Sequence, residues 1–501
     1  MPLPTSPTGI ITRALSLAAV SASLLFVAMF LYVSLSRISY PFELEWLEGL
    51  SLQHVKRVLG PSGLYVKPTI DFIPNLYPPL HAYVGAVVCS VFGAHFTALR
   101  AISLLSALGV LALIYQFVAR ETSTRASLLN VPAIVAVGLF IATYDRVGGW
   151  FDIARVDSLL FFLVMLGLFM LRFYPSAGGF VVAGLFFVMA GFVKQSGFLI
   201  AVPLIGAVVL AHRRRGLYFG GAIGLVAAIV TVAVASLYEG NWFYYYVIDM
   251  PTRHPEVQGS AAESLWLDVI ASMPISCLLA CFAFFPGDGD APRHRRIILG
   301  AFLVGGVGVS LAIRARVGAF VNDLIPAYLA VSILAGVGLE RLFRHGRARA
   351  EWRLVPAYSL VLVLAQFWML RYDPIVHIPT RDDRQAGERI VEQLKAIPGD
   401  VFLPHHGYLA EMAGKRSFAH TLAIDNLRLE DRGPNREFIE GQISSALAQK
   451  RFGAVIVESD GWNLDAIKEH YKPGQLLNTS PGVFFPREGG ALRPEQVFVP
   501  K

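Results

Sequence analysis

Charge is scarce in this sequence. Asp, Glu, Lys and Arg make up 16% of its 501 residues, against about a quarter in an ordinary soluble domain. So little polar surface cannot cover a chain of this length in water, which excludes a plain water-soluble globular protein. Cysteine is nearly absent too. Cys89, Cys277 and Cys281 all lie inside apolar stretches, as small core residues do, and no CxxC pair exists, which excludes a disulfide scaffold and the common zinc and redox motifs. No Walker sequence occurs, and no GxGxxG follows a strand-like run, so cytoplasmic ATP or nucleotide-sugar chemistry is disfavoured. There is no internal repeat and no low-complexity tract.

Hydrophobic residues fill this space: 55% of the chain, with a mean hydropathy of +0.54. The composition is that of an α-helical polytopic membrane protein. The net charge of +7 comes from basic residues clustered in short loops, a pattern of membrane orientation and not of nucleic-acid binding. The first apolar run, 11–33, is too long for a signal-peptide core and lacks a small-x-small cleavage site, so it reads as a retained first span. Eleven further candidates follow, at 77–93, 96–119, 128–145, 157–173, 177–193, 197–211, 217–237, 264–285, 296–313, 320–343 and 352–370.

Twelve crossings would put "HRRR" (212–215), "RHRR" (293–296) and "RLFRHGRARAEWR" (341–353) outside, against the preference for basic loops inside. One early segment must therefore stay on one side. The segment 77–93, short and opened by a proline pair, is the best candidate for a juxtamembrane or re-entrant helix. About 11 transmembrane helices remain, and the basic loops return to the cytoplasm. Facing out are the first loop (34–95), 145–156, the turn at Lys194, 238–263, 314–319 and everything after about 371. The division is a transmembrane domain over 1–370 and a small soluble α/β domain over 371–501. In the latter, "DDRQAGERIVEQLKAIPGD" and "NREFIEGQISSALAQKRFG" read as helices and "VFLP" and "AVIVES" as short buried strands.

Polar chemistry collects on the outer side. "FELEWLEGL" (42–50) places Glu43, Glu45 and Glu48 just beyond the first span. On a helix, Glu45 and Glu48 would share a face. They are either an interfacial helix cap or carboxylates able to take a proton from a hydroxyl. Lys194, in "VKQS", is either snorkelling or a cation held beside the outer acids, as are Arg253, His254, Arg314 and Arg316. Outer cations suit a phosphate leaving group, whose charge grows as its bond breaks. Asp152, Arg155 and Asp157 in "FDIARVDS" are either a local ion pair at a helix start or part of the same site. Asn322 and Asp323 begin a later helix, where an Asp is common as a cap. His405, His406 and His420 lack the spaced partners of a zinc site.

The order of these motifs resembles one group of proteins. A first span is followed by "ELEWLEG", "LYVKP" (64–68), "YPPLHAY" (77–83), "ARVDS" (154–158) and "FVKQSG" (192–197). This is similar to the GT-C glycosyltransferases, closest in style to protein O-mannosyltransferases and lipid A aminoarabinose transferases, over about residues 11–370. The resemblance implies an inverting transfer of a sugar from a polyprenyl-phosphate donor to an acceptor hydroxyl at the outer face of a bacterial inner membrane. It implies a catalytic carboxylate in "ELEWLEG", where spaced glutamates replace the family's Asp-Glu pair and Glu45 is favoured over Glu43 and Glu48. It implies Asp157 as a second acid in the same cavity. Tyr77 replaces a phosphate-binding lysine of the family, so Lys194 or Lys67, with Arg314, Arg316 and Arg253, would carry the phosphate. Tyr77, His81, Arg155, Gln195 and His254 would line the substrate. No cofactor is required, although some branches of the family bind a divalent cation at such acids. Partners would be the lipid-linked sugar, membrane lipids and a glycan, lipid or protein acceptor. The competing class is a transporter or flippase, which would keep its ionisable residues near the bilayer centre.

Overall fold

In the computed structural model the described residues are 7–122, 130–285, 293–429, 433–458, 461–477 and 480–501. The "GDGD" loop, the first two residues of the 128–145 candidate and Ser459 lie outside them. The apolar runs are helical. Pro7–Arg37, at 31 residues, extends about 46 Å at 1.5 Å per residue, beyond the ~30 Å hydrocarbon core. Helices Asp157–Phe173 and Ala177–Val193 occupy the same residues as the apolar runs. Helix Leu80–Phe92, within 77–93, has 13 residues. That is about 20 Å, too short to cross unaided.

Among the described residues, six helical stretches are long and apolar enough to cross a bilayer. Ser260–Ile270 and Pro274–Phe282 would make a seventh if joined across their 86° bend. The stretch 196–235 is two antiparallel helices, Ser196–His212 and Leu217–Ala235, reversed at "RRRG". A Cβ on Gly220 would lie 3.1 Å from Ile205, whereas fifteen residues of unbroken helix would separate them by about 22 Å. Helix Ile325–Ala348 is the axis of the bundle and is buried continuously from Ile325 to Phe343. By contrast Leu24, Leu25, Val202, Leu210 and Ile229 are exposed. Apolar surface of this extent belongs against lipid.

Beyond helix Val355–Met369, residues 381–500 form helices around one mixed sheet. Its strands are β1 (Val401–Phe402), β2 (Ala454–Val457), β3 (Tyr471–Pro473) and β4 (Gln496–Pro500), in the order β1-β2-β4-β3. β1 and β2 are parallel, and the other pairs are antiparallel. All four residues of β2 are buried, as a continuous apolar run requires of a central strand. Thr380 and Asp383 cap helix Arg381–Ala396 reciprocally.

The sheet's helices share a core with the first outer loop. Phe42, Leu52, Val55 and Ala86 pack in one cluster with Ile390, Leu394, Val401 and Leu409. The Phe42 and Phe484 rings meet edge to face at 5.2 Å. This junction holds the acid strip.

Candidate functional site

The strip 43–49 closes on itself. Gly49 N–H donates to Glu43 Oε1 at 2.8 Å, and Leu44 N–H donates to Glu48 Oε2 at 2.7 Å. Glu43 thereby caps helix Glu48–Leu59, whose own N-cap residue, Leu47, has no side-chain oxygen to offer. Glu48 also accepts from Arg100 Nε at 2.9 Å, from Arg100 Nη2, and from Ala154 N–H at 2.6 Å. Glu43 Oε2 and His406 Nδ1 share a hydrogen bond at 2.6 Å. Burial pushes the Glu43 carboxyl well above the usual range and lowers His406 to about 4.

Glu45 differs. It is fully buried, and among the described residues neither carboxylate oxygen has a side-chain hydrogen-bond partner; the Leu47 backbone N–H is the donor beside it. Its nearest cation is Arg155, whose Nε stands 3.6 Å from Oε2. Burial pushes Glu45 up to about 8, Arg155 opposes this, and Glu48 and Glu43 add to it. The expected common helical face of Glu45 and Glu48 is corrected here. The helix begins at Glu48, while Glu45 is in extended pairing with Glu488, so the two acids point into different surroundings.

Arg155 is itself buried. Its guanidinium stands 5.7 Å from the Trp150 ring centre and 5.9 Å from that of Tyr77. Beside it, Lys194 Nζ is 3.0 Å from Asp157 Oδ1 and 3.1 Å from Asp323 Oδ1. Asn322 Nδ2 and Trp150 Nε1 donate to Asp157 at 3.3 and 2.9 Å. Lys194 also lies 5.7 Å from the Tyr77 ring centre. Its ammonium is therefore shared between two buried carboxylates, so it is held beside acids and does not snorkel. Gln195 Nε2 donates to Leu76 O and Val247 O at 2.7 and 2.9 Å, which ties the "YPPL" loop to the segment after 238. His81 is buried, with Arg155 and Asp157 close enough to influence it.

The other outer cations stand elsewhere, because each has a nearer local partner. Lys67 is exposed, with Nζ 4.0 Å from the Phe438 ring centre. Arg253 pairs with Asp249 on the surface. Arg314 reaches Asp268 at 3.4 Å, and Arg316 donates to Pro251 O at 2.9 Å. His254 Nδ1 lies 3.3 Å from Val317 O. Arg253, His254, Arg314 and Arg316 make a second group around 249–268 and 314–317, Lys67 stands apart, and none of the five forms an ion pair with Glu45 among the described residues.

The sequence analysis missed several buried groups. Arg37 donates to Asp152 at 2.7 and 2.8 Å, to Gly149 O at 2.9 Å and to Glu488. Arg100 sits inside an apolar span, where an unpaired guanidinium is costly, and that cost was a legible sign that an acid such as Glu48 must meet it. Glu458, 2.8 Å from His405 Nδ1, gave no such sign. Among the described residues no three His, Cys, Asp or Glu are grouped to hold a metal ion. Of the acids that act on Glu45, Glu48 is held by Arg100 and Glu43 by His406.

No family model matches the sequence, and no curated protein matches it. Solved structures do match in shape. ArnT from Cupriavidus metallidurans bound to undecaprenyl phosphate superposes with a TM-score of 0.61 at 15% identity, covering 95% of this chain and 97% of that one. The archaeal oligosaccharyltransferase AglB from Archaeoglobus fulgidus, in complex with an inhibitory peptide and a dolichol-phosphate, gives 0.52 at 11% identity over 91% and 72%. The chain shares the fold of these two structures: a helical bundle whose first loop carries short helices and packs, with the acid strip, against the helices of a C-terminal sheet.

Proposed function

We propose that the protein is an inverting membrane glycosyltransferase that moves a sugar from a polyprenyl-phosphate donor to an acceptor hydroxyl. The observation that carries this is Glu45, a buried carboxylate with no side-chain hydrogen bond among the described residues, facing a buried arginine. Glu45 takes the proton of the acceptor hydroxyl, and the oxygen attacks the anomeric carbon. The bond from that carbon to the phosphate oxygen breaks on the opposite face, and its electron pair leaves with the phosphate. Arg155, loosely matched to Glu45, is the cation best placed to receive that charge. Lys194 has two carboxylates to balance already. It acts by fixing Asp157 and Asp323 around the site. The second outer group, Arg253, His254, Arg314 and Arg316, would meet the donor only at the entrance.

Undecaprenyl phosphate in ArnT and dolichol-phosphate in AglB support a lipid-phosphate donor. The acceptor is a hydroxyl of an envelope glycan, lipid or protein. Eleven crossings, with 77–93 on the outer side, put the site and the C-terminal domain on the periplasmic face of a bacterial inner membrane.

The experiment is sugar transfer from polyprenyl-phosphate donors by the purified protein, with Glu43→Gln, Glu45→Gln and Glu48→Gln compared at matched membrane levels. Loss of a general base costs about 10²–10⁴ in rate, so Glu45→Gln should bind donor and transfer almost nothing. Full transfer by this variant would remove the mechanism. Donor movement across the bilayer that persists in Glu45→Gln, with no transfer by the wild type, would favour a flippase.

A further inference from the structure

Glu45 is completely buried although it lies in a loop, and part of its cover comes from far along the chain. Glu488 N–H donates to Leu44 O at 2.8 Å, and residues 45 and 488 form an isolated parallel bridge. The Glu488 side chain anchors this segment from the other side, bonded to Arg37 and, at 2.9 Å, to His377 Nδ1. The next residue, Gly489, runs directly against the acid. A Cβ there would stand 3.1 Å from Glu45 Cγ, 3.2 Å from Oε1 and 3.3 Å from the Trp46 ring. Its φ of +73° is also one that L side chains rarely adopt.

We infer that Glu488–Gly489 of the C-terminal domain is a positioning wall of the site, which fixes the Glu45 carboxylate toward Arg155 and keeps water from it. This rests on the role proposed for Glu45, and it gives the C-terminal domain a task in the reaction. The charged groups facing Glu45 are Arg155 from the 145–156 loop and Glu43 and Glu48 from its own strip. From the C-terminal side the contact is backbone. The Glu488 carboxylate is turned to Arg37 and His377, and His405 and His420 stack beside Trp46 at 5.8 and 5.4 Å. Because burial is the main cause that raises Glu45 to about 8, lifting the wall lets water in and returns the acid toward its ordinary range.

The test uses the full-length protein in lipid nanodiscs and measures transfer against pH and against donor concentration. Gly489→Ala adds the clashing Cβ. Gly489→Asn adds it on a residue that tolerates positive φ, and carries the test if the alanine variant fails to accumulate. Gly482→Ala is the control: φ there is +72°, and nothing lies within 4 Å of the new Cβ. Both Gly489 variants should lose about 10- to 100-fold in kcat, as misplacement of a reacting group does. Their donor KM should hold, and the midpoint of their pH profile should fall by about one unit or more. Gly482→Ala should keep the wild-type kcat and midpoint. Gly489 variants with wild-type kcat and midpoint would overturn the inference, as would an equal loss in Gly482→Ala. Full transfer by Glu45→Gln would instead strike at the base itself. An inactive Glu45→Gln beside unaffected Gly489 variants would remove only the wall.

Discussion

Glu45 and Glu48 stand three residues apart in opposite electrostatic surroundings. Glu48 is saturated by Arg100 and two backbone amides. Removing one partner of such a buried pair costs about 3–5 kcal/mol, because the other charge is stranded. Glu48→Gln and Arg100→Met should therefore each lower the melting temperature clearly. Glu45→Gln, which replaces a desolvated carboxylate with no side-chain hydrogen bond and only a loose pair to Arg155, should lower it far less. Scanning fluorimetry in detergent decides this, and equal losses at Glu45 and Glu48 would make both acids structural. The same contrast sets the pH dependence. Burial holds Glu45 at about 8. Below that pH it carries a proton and cannot accept another, so kcat/KM should rise as pH increases through about 8 and fall away on the acid side. A flat profile from pH 6 to 9 would mean that the base is another group. Three acids were visible in "ELEWLEG"; which of them is left without a strong side-chain or long-range partner depends on Arg100, Ala154 and His406, from 52 to 363 residues away.

The packing of helix Ile325–Ala348 depends on small residues that let backbones approach, as membrane helices do. A Cβ on Gly338 would fall 1.9 Å from Leu279 O, in helix Pro274–Phe282. Gly308, in helix Arg293–Arg314, would meet nothing within 4 Å. Gly338→Ala should thus destabilise by about 1–3 kcal/mol through overpacking. Gly308→Ala should be neutral or stabilising, since alanine is the better helix former by up to about 1 kcal/mol. Thermal unfolding of the two variants should move in opposite directions, and a loss in both would point to a role for Gly308 outside this packing. Hydropathy located these helices because lipid demands long apolar runs. It could not locate their crossing points, since every glycine in an apolar run looks alike until a neighbouring helix is placed beside it.

The orientation proposed for the whole molecule rests on its basic loops. Arg213, Arg214 and Arg215 sit in the turn between two apolar helices, and Arg344, Arg347 and Arg349 lie at the far end of helix Ile325–Ala348. A reporter fused after Arg215 or Arg349 should read cytoplasmic, and one fused after Pro379 should read periplasmic. A periplasmic signal at Arg215 would mean that 77–93 crosses and that the site lies on the opposite face.

By itself the sequence determined the solvent this chain needs, the apolar helices, the place of the acids just beyond the first of them and the short strands after residue 400. Each of these is a local property, written in composition and in runs of ten to thirty residues. The tertiary structure decided how the charges are shared. Lys194, in the sequence either snorkelling or beside the acids, is shared between Asp157 and Asp323, while Arg155, easily taken for a helix-end ion pair, faces Glu45. It also brought Gly489 onto the acid from more than 400 residues away. A carboxylate acts as a base or as a strut according to which donors and how much water surround it, and only the folded chain sets those surroundings.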